Sequence, residues 1–292
     1  MVWLTLEVDY CYLTSRSFLF GDHASALRMA PSTLFNPGTS TVYNTVKEKL
    51  AAGKQVIGGT IETPDPDIYR AMAGAGFDFL WIEMQHSPLT YQDVARMIWA
   101  GRDEPAIPFI RVPDATEGDI QKATDAGALG IIVPMVVDPQ KAANAVKFAK
   151  YPPTGHRSLG GGQYGALWGS DYRQTANDNI MVVAMIESPA GVENAEAIAN
   201  VPGVDVVFVA ATDLFSFSGL PQGNPQYEAM VTRIHDITLQ SGRKLGGPMN
   251  WRNRANFSFF QAPPASTLLR SGARTLLTTT APAVAPIEGS EK

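Results

Sequence analysis

Met181-Val182-Val183-Ala184-Met185-Ile186-Glu187-Ser188 is the stretch on which the fold turns. Its six consecutive apolar residues leave no polar face for water. A strand here must be buried on both sides, as in a parallel sheet covered by helices. The run then stops on a carboxylate, so whatever chemistry the strand carries stands at its carboxyl end.

Outward from this stretch the pattern repeats. Short runs rich in Val, Ile and Phe fall at Val56–Glu62, Phe77–Glu83, Ile107–Pro113, Gly130–Val136, Val204–Ala210, Lys244–Met249 and Ala273–Thr279. With Met181–Glu187 that makes eight. Helix-like segments fill gaps at Thr41–Ala52, Thr90–Gly101, Pro139–Lys150, Ala190–Asn200 and Tyr227–Ser241. Ser/Thr caps, a Pro at the first helical position and Gly53 just past an end mark their limits. Alternation of this kind over about 240 residues predicts an α/β fold, a single (β/α)8 TIM-type barrel.

A short repeat bears on the count. Ala75-Gly76-Phe77, Ala126-Gly127-Ala128 and Ser271-Gly272-Ala273 each set a glycine between a helical stretch and a strand, where positive φ is needed. Phe257–Phe260 competes for the eighth strand, but the repeat places that strand after Gly272.

The ends differ from the middle. Residues 1–40 show no clean periodicity and close on the turn-rich Asn36-Pro37-Gly38-Thr39-Ser40, so they are expected to be an irregular extension. The barrel is expected over 41–280, and the Ala/Pro-rich 281–292 as a loose tail. Glu7 and Asp9 oppose a secretory leader. Arg16, Arg28 and nearby serines suggest a transit peptide, and Glu7, Asp9 and Asp22 argue against it. A cytoplasmic location is expected, with a mitochondrial one as the alternative.

Composition excludes several classes. The net charge is −5 and no long basic run occurs, against nucleic acid or an anionic membrane. Cys11 is the only cysteine, so no disulfide framework exists. The four histidines are scattered without zinc spacing, and no apolar run approaches a membrane span.

In such a barrel, function lies where the strands end. Four predicted strands end on or near an ionisable group: Glu83, Arg111, Glu187 and Asp213. Glu187 and Asp213 come from neighbouring strands and would repel unless a cation lay between them. Oxygen ligands with open positions suit Mg2+ or Mn2+, and such a site can chelate a 2-oxo acid. Alternatively, both carboxylates cap the helices that follow. Arg111 could hold an enolate oxygen, or pair with Glu83 or Asp125. His86 could be a general base or a plain loop residue. Asp125 could orient His86 or be a helix-end carboxylate. Arg157, in the Gly/Pro-rich Tyr151–Gly162 loop, could meet a carboxylate or phosphate. Gly160-Gly161-Gly162 lacks phosphate-loop spacing, and Tyr164, Trp168 and Tyr172 read as core or subunit contact. No serine-hydrolase elbow and no strand-end Schiff-base lysine is present; Lys244 opens strand seven at the wrong end.

Taken in order, Ala75–Phe79, Gln85-His86-Ser87-Pro88, Arg111-Val112-Pro113, Asp125–Ala128, Tyr151–Arg157, Ile186-Glu187-Ser188 and Thr212-Asp213-Leu214 resemble the HpcH/HpaI aldolase/citrate lyase family, the metal-dependent class II pyruvate aldolases. The resemblance runs from about Gly53 to Ala273. It implies a (β/α)8 barrel assembled as a homo-oligomer, usually a trimer of dimers. It implies Glu187 and Asp213 as ligands of a divalent cation (Mg2+ or Mn2+, with Co2+ or Zn2+ also compatible). His86 with Asp125 would be a base dyad acting through a bound water, and Arg111 would hold the pyruvate enolate. Gln85, Met185, Ala211, Thr212 and Arg157 would face the substrate, a 2-oxo acid with its aldehyde. Three departures stand out: Gln85 where the family has Glu, Met185 where it has Gln, and Ala210-Ala211 where it has Gly-Pro. They keep three alternatives open: 2-oxo-diacid decarboxylation or enolate trapping, a citryl- or malyl-CoA lyase, and a non-catalytic scaffold. The family also points to Met29 as a natural start.

Overall fold

Gly58 and Gly130 show how the centre of the molecule is filled. A Cβ on Gly58 would collide with the Phe79 ring, and one on Gly130 with the Phe109 ring. The barrel interior therefore alternates the smallest residue with the largest, as a tapering closed sheet requires. Phe79 lies 4.8 Å from Phe109 and 4.4 Å from Phe259, centroid to centroid, and Trp81 lies 5.2 Å from Phe208. These five rings are at most 1% exposed.

The computed structural model describes residues 42–279. The stretches read as extension (1–40) and tail (281–292) lie outside the described residues. The strands are β1 (Val56–Ile61), β2 (Phe79–Glu83), β3 (Ile107–Arg111), β4 (Gly130–Val133), β5 (Met181–Ile186), β6 (Val206–Val209), β7 (Lys244–Pro248) and β8 (Phe257–Pro264). Each pairs in parallel with the next, and β8 pairs with β1 to close the barrel. This is the (β/α)8 barrel expected from the alternation.

The helices are α1 (Thr45–Ala51), α2 (Pro66–Gly74), α3 (Tyr91–Ala100), α4 (Glu117–Asp125), α5 (Pro139–Ala149), α6 (Tyr164–Trp168) and α7 (Tyr172–Asn179). They continue with α8 (Pro189–Glu193), α9 (Ala195–Ala199), α10 (Ala211–Ser218), α11 (Pro225–Gln240) and α12 (Ala265–Thr278). Local chemistry sets their starts. Asp65 caps α2, Thr116 caps α4, and Thr90 with Asp93 forms a reciprocal box on α3. Asn44 caps α1 and donates through Nδ2 to the carbonyls of Leu129 (3.2 Å) and Asn179 (2.8 Å), which pins that helix across the amino-terminal ends of β4 and β5.

One expectation is overturned. The eighth strand is Phe257–Pro264, and Ala273–Thr279 falls in and just beyond the end of α12. Gly76 and Gly127 do take positive φ (102° and 103°), as the repeat requires. Gly272 sits inside a helix, so its likeness to the other two is coincidental. Burial explains the choice. Phe259 and Phe260 are fully buried, whereas Leu276 and Leu277 are 77% and 84% exposed. A barrel strand cannot leave two leucines in water. Smaller differences have local causes. The predicted Ala190–Asn200 helix breaks at Asn194, and β4 stops before Pro134, which has no N–H to give a neighbouring strand.

Candidate active site at the carboxyl ends of the strands

Glu83 ends β2, Arg111 ends β3, Glu187 follows β5 and Asp213 lies two residues into α10, just after β6. The sheet is parallel, so all four stand at the same end of the barrel.

Glu83 is the hub. It is 1% exposed, and Arg111 Nη2 lies 2.5 Å from its Oε2. Trp81 Nε1 donates to the same oxygen at 3.2 Å. Its Oε1 accepts the backbone N–H groups of Gln85 (2.8 Å) and His86 (3.0 Å), and the Ser87 hydroxyl donates to its carbonyl. One buried carboxylate thus fixes the arginine and folds the loop that carries His86. The sequence reading offered Glu83 only as a partner for Arg111; the loop bonds had no sequence signal.

Arg111 takes the ion-pair reading, with Glu83 as the partner. Its Nε is nonetheless buried without a hydrogen-bond partner and its Nη1 lies 4.0 Å from Met185 Sδ. A thioether is a weak acceptor, so the guanidinium keeps unspent donor capacity inside the barrel mouth. The His86 side chain is exposed at the rim.

Glu187 is 2% exposed. Its Oε1 accepts the N–H of Met135 at 2.8 Å. Met135 has φ 52°, a left-handed backbone that a bulky residue adopts only when its surroundings impose it. That turn after β4 aims the N–H at the carboxylate, and sequence reading missed it. Burial pushes the Glu187 carboxyl up to about 7, with Asp213 adding to the rise and the Met135 N–H and Arg111 opposing it. The helix-capping alternative fails for Glu187, since Ser188 caps α8 itself. Asp213 makes no cap bond either, because the residue before α10 is Ala210 and the helix has no side-chain cap.

The Asp213 carboxylate lies close enough to disfavour the ionised form of Glu187, and Arg111 only partly offsets this. That donor set fits a divalent metal, whose charge would favour the ionised form of Glu187. Among the described residues, no group of three or more His, Cys, Asp or Glu side chains stands together, so the protein offers a two-carboxylate site.

The substrate-facing expectations divide. Met185 is 1% exposed beside Arg111, Ala211 is buried with its carbonyl bound by the Tyr227 hydroxyl at 2.9 Å, and Thr212 is exposed. Gln85 Oε1 is buried without a partner. All four belong to the strand-end region. Asp125 and Arg157 do not join them within one chain. Asp125 closes α4, at the end of the barrel where β4 begins, and His86 lies beyond the end of β2. Asp125 Oδ1 accepts from Arg157 Nη2 at 2.8 Å and Oδ2 from Gln121 at 2.9 Å, so its bonds go to these residues and not to His86. Arg157 also donates to the Tyr172 hydroxyl at 2.8 Å and packs within 4.6 Å of the Tyr151 ring centre. Tyr164 stacks on Tyr172 at 4.4 Å, and Trp168 donates to the Gly127 carbonyl at 2.9 Å, so this aromatic cluster is packing.

Known proteins share both sequence and fold. The HpcH/HpaI aldolase/citrate lyase profile matches residues 61–246. A 4-hydroxy-2-oxovalerate aldolase of Rhodococcus jostii is 36% identical over 208 residues, 70% of this chain and 79% of that protein. A hydroxypyruvate/pyruvate aldolase of Chromohalobacter salexigens is 34% identical over 60% of this chain and 71% of its own length. The crystal structure of an HpcH/HpaI aldolase/citrate lyase family protein from Burkholderia cenocepacia superposes with a TM-score of 0.74 at 29% identity, covering 80% of this chain and 98% of that one.

Proposed function

This chain belongs to the HpcH/HpaI aldolase/citrate lyase family, and we propose that it is a carbon–carbon lyase that cleaves 4-hydroxy-2-oxo acids to pyruvate and an aldehyde. The observation that carries this is the buried Glu187 with the half-buried Asp213 close by, beside the underused donors of Arg111. The aldolase names of the relatives support the reaction class.

Glu187 and Asp213 would hold the divalent cation, Mg2+ or Mn2+ by the hardness of their oxygens. When bound, it supplies Lewis-acid stabilisation of the negative charge that develops on the 2-oxo group. The chain's own residues do the rest. Arg111, held rigid by Glu83, presents a cation to the enolate oxygen of pyruvate, and its water-poor setting strengthens that contact. His86 Nε2 or Nδ1 takes the proton from the 4-hydroxyl as the C3–C4 bond breaks and its electron pair forms the pyruvate enolate, whose C3 then takes up a proton to give pyruvate; in the reverse direction His86 returns its proton to the new alkoxide. Glu83 positions both groups. Met185 and Ala211 offer an apolar wall to the substrate, and Gln85 an amide. Asp125 and Arg157 act in the scaffold in this reading.

The barrel is proposed to work as a homo-oligomer. Helix α12 supports this, since Leu269, Leu276 and Leu277 are 61%, 77% and 84% exposed on that one helix. Leu269 lines the apolar groove between α2 and α12, and this groove with the exposed Leu276 and Leu277 further along α12 suits a second copy of the chain. The test of the activity is release of pyruvate from a 4-hydroxy-2-oxo acid with Mg2+ or Mn2+ present. Glu187→Ala should abolish it, and full activity in excess chelator would rule the reading out.

A further inference from the structure

Gln261 faces into the barrel, and no group of the protein uses its amide. Two residues earlier on β8, Phe259 turns inward and stacks on Phe79 with centroids 4.4 Å apart. Alternation along a strand puts Gln261 on the same face, one layer nearer the carboxyl ends. Register agrees: Gln261 pairs with Gly58 of β1, where a Cβ would strike the Phe79 ring inside the barrel. Below it Phe259, Phe79 and Phe109 are fully buried and close the barrel, whereas Gln261 is only half-buried. Its exposed part therefore opens toward the mouth. Among the described residues, its side chain makes no hydrogen bond.

The proposed lyase site leaves this arc of the mouth to the rest of the substrate. Arg111 ends β3, Glu187 follows β5 and Asp213 follows β6, so the pyruvate half lies over β3 to β6. His86, proposed to take the 4-hydroxyl proton, follows β2. Carbons beyond C4 then have β7, β8 and β1 to cross. The other inward positions there offer nothing polar. Gly246 and Gly58 have no side chain, and Pro248, level with Gln261, is apolar. The Thr60 hydroxyl is buried and spent on the Ala262 carbonyl at 2.8 Å. Charge on this arc is one-sided: Glu62 directly follows β1, and no lysine or arginine stands between β1 and α2 or between β8 and α12.

Resting on the lyase reading above, we infer that Gln261 sets the acceptor specificity: its amide bonds an uncharged, hydroxyl-bearing tail, the part of the substrate released as a hydroxyaldehyde. An amide both donates and accepts, so neighbouring hydroxyls satisfy it in both senses. A hydrocarbon tail leaves it unpaired. A carboxylate tail meets Glu62 and no opposing cation on this arc.

Condensation of pyruvate with three aldehydes by the Mg2+-loaded protein tests this: glyceraldehyde, butanal as its hydroxyl-free counterpart, and succinic semialdehyde as a carboxylate-bearing one. In kcat/KM, glyceraldehyde should lead both others by about tenfold or more. Gln261→Leu should lower the glyceraldehyde value about tenfold and leave butanal within about twofold. Exchange of the pyruvate methyl protons, which needs no aldehyde, should keep the parent's rate and so shows that the variant is folded. Gln261→Met takes its place if leucine disturbs the barrel. The inference is overturned if either other aldehyde is preferred, if the variant loses glyceraldehyde and butanal equally, or if its glyceraldehyde value is unchanged. Exchange without discrimination among the aldehydes overturns this inference alone. Absence of exchange in the parent overturns the lyase reading and this inference with it.

Discussion

Arg111 and Glu83 form a buried ion pair, Nη2 to Oε2 at 2.5 Å, and the second oxygen of the same carboxylate holds the backbone of Gln85 and His86. One side chain thereby ties the cation proposed to meet the enolate to the loop that carries the proposed base.

Glu83→Ala should therefore damage two functions at once. Removing one partner of a buried pair costs about 3–5 kcal/mol, and the melting temperature should fall accordingly. Turnover should drop by on the order of a hundredfold, because small misplacements of catalytic groups carry penalties of that size. Glu83→Gln should retain the loop bonds and recover much of the stability but little of the turnover. Steady-state kinetics beside thermal melts separate the two effects.

Cation binding should depend on pH. In the metal-free protein burial raises the Glu187 carboxyl to about 7, so below that pH a proton competes with the metal. Apparent affinity for Mn2+ should fall about tenfold per pH unit below neutrality and level off above it. The sign for stability is the reverse of an ordinary salt bridge. A carboxyl whose folded pKa is raised stabilises the fold below its ordinary value of 4.5, and loses that contribution as pH rises through about 7. Metal-free protein should thus melt lower at pH 8 than at pH 5 on account of this group, and Glu187→Gln should flatten that slope.

Met185→Gln would place an amide where a thioether now lies 4.0 Å from Arg111 Nη1. The side chains are close in volume, and a buried amide costs about 1–3 kcal/mol where it stays unpaired, so the barrel should fold with a melting temperature lowered by no more than that. The amide offers the substrate a hydrogen bond that sulfur cannot. The expected result is a KM for pyruvate lowered several-fold in the condensation direction, by up to about tenfold. An unchanged KM would show that the Met185 side chain does not touch the substrate.

Phe259→Ala should cost about 3–5 kcal/mol, since its ring is fully buried against Phe79 and Phe208. Replacing both Leu276 and Leu277 with Ser should leave the melting of the isolated barrel nearly unchanged. In sedimentation, that double variant should shift toward monomer if α12 docks on a second copy.

The sequence made the barrel legible because seven of the strands read as short apolar runs, and β5 announces burial on both faces. It misled at the eighth, where Ser271-Gly272-Ala273 imitates two genuine turns. Local glycine spacing cannot see which of two segments buries its side chains, and only the packing of Phe259 onto Phe79 decides it. The strand-end carboxylates were readable because strand direction fixes where each strand ends. The roles of Glu83 and the Met135 N–H were not readable, since both depend on contacts set by the tertiary fold: a loop folding back, and a backbone forced to φ 52°. For the same reason Asp125 looked free to serve His86, although Arg157 and Gln121 occupy it in this chain.

The central claim is that Arg111 and a cation held by Glu187 and Asp213 stabilise a pyruvate enolate. Exchange of the pyruvate methyl protons for deuterium, followed by proton NMR, reads enolate formation without any aldehyde. The account predicts exchange that requires Mg2+ or Mn2+, stops in excess chelator, and falls by at least about a hundredfold in Arg111→Lys and Glu187→Gln. Exchange that persists undiminished in excess chelator, or in Glu187→Gln, would contradict it.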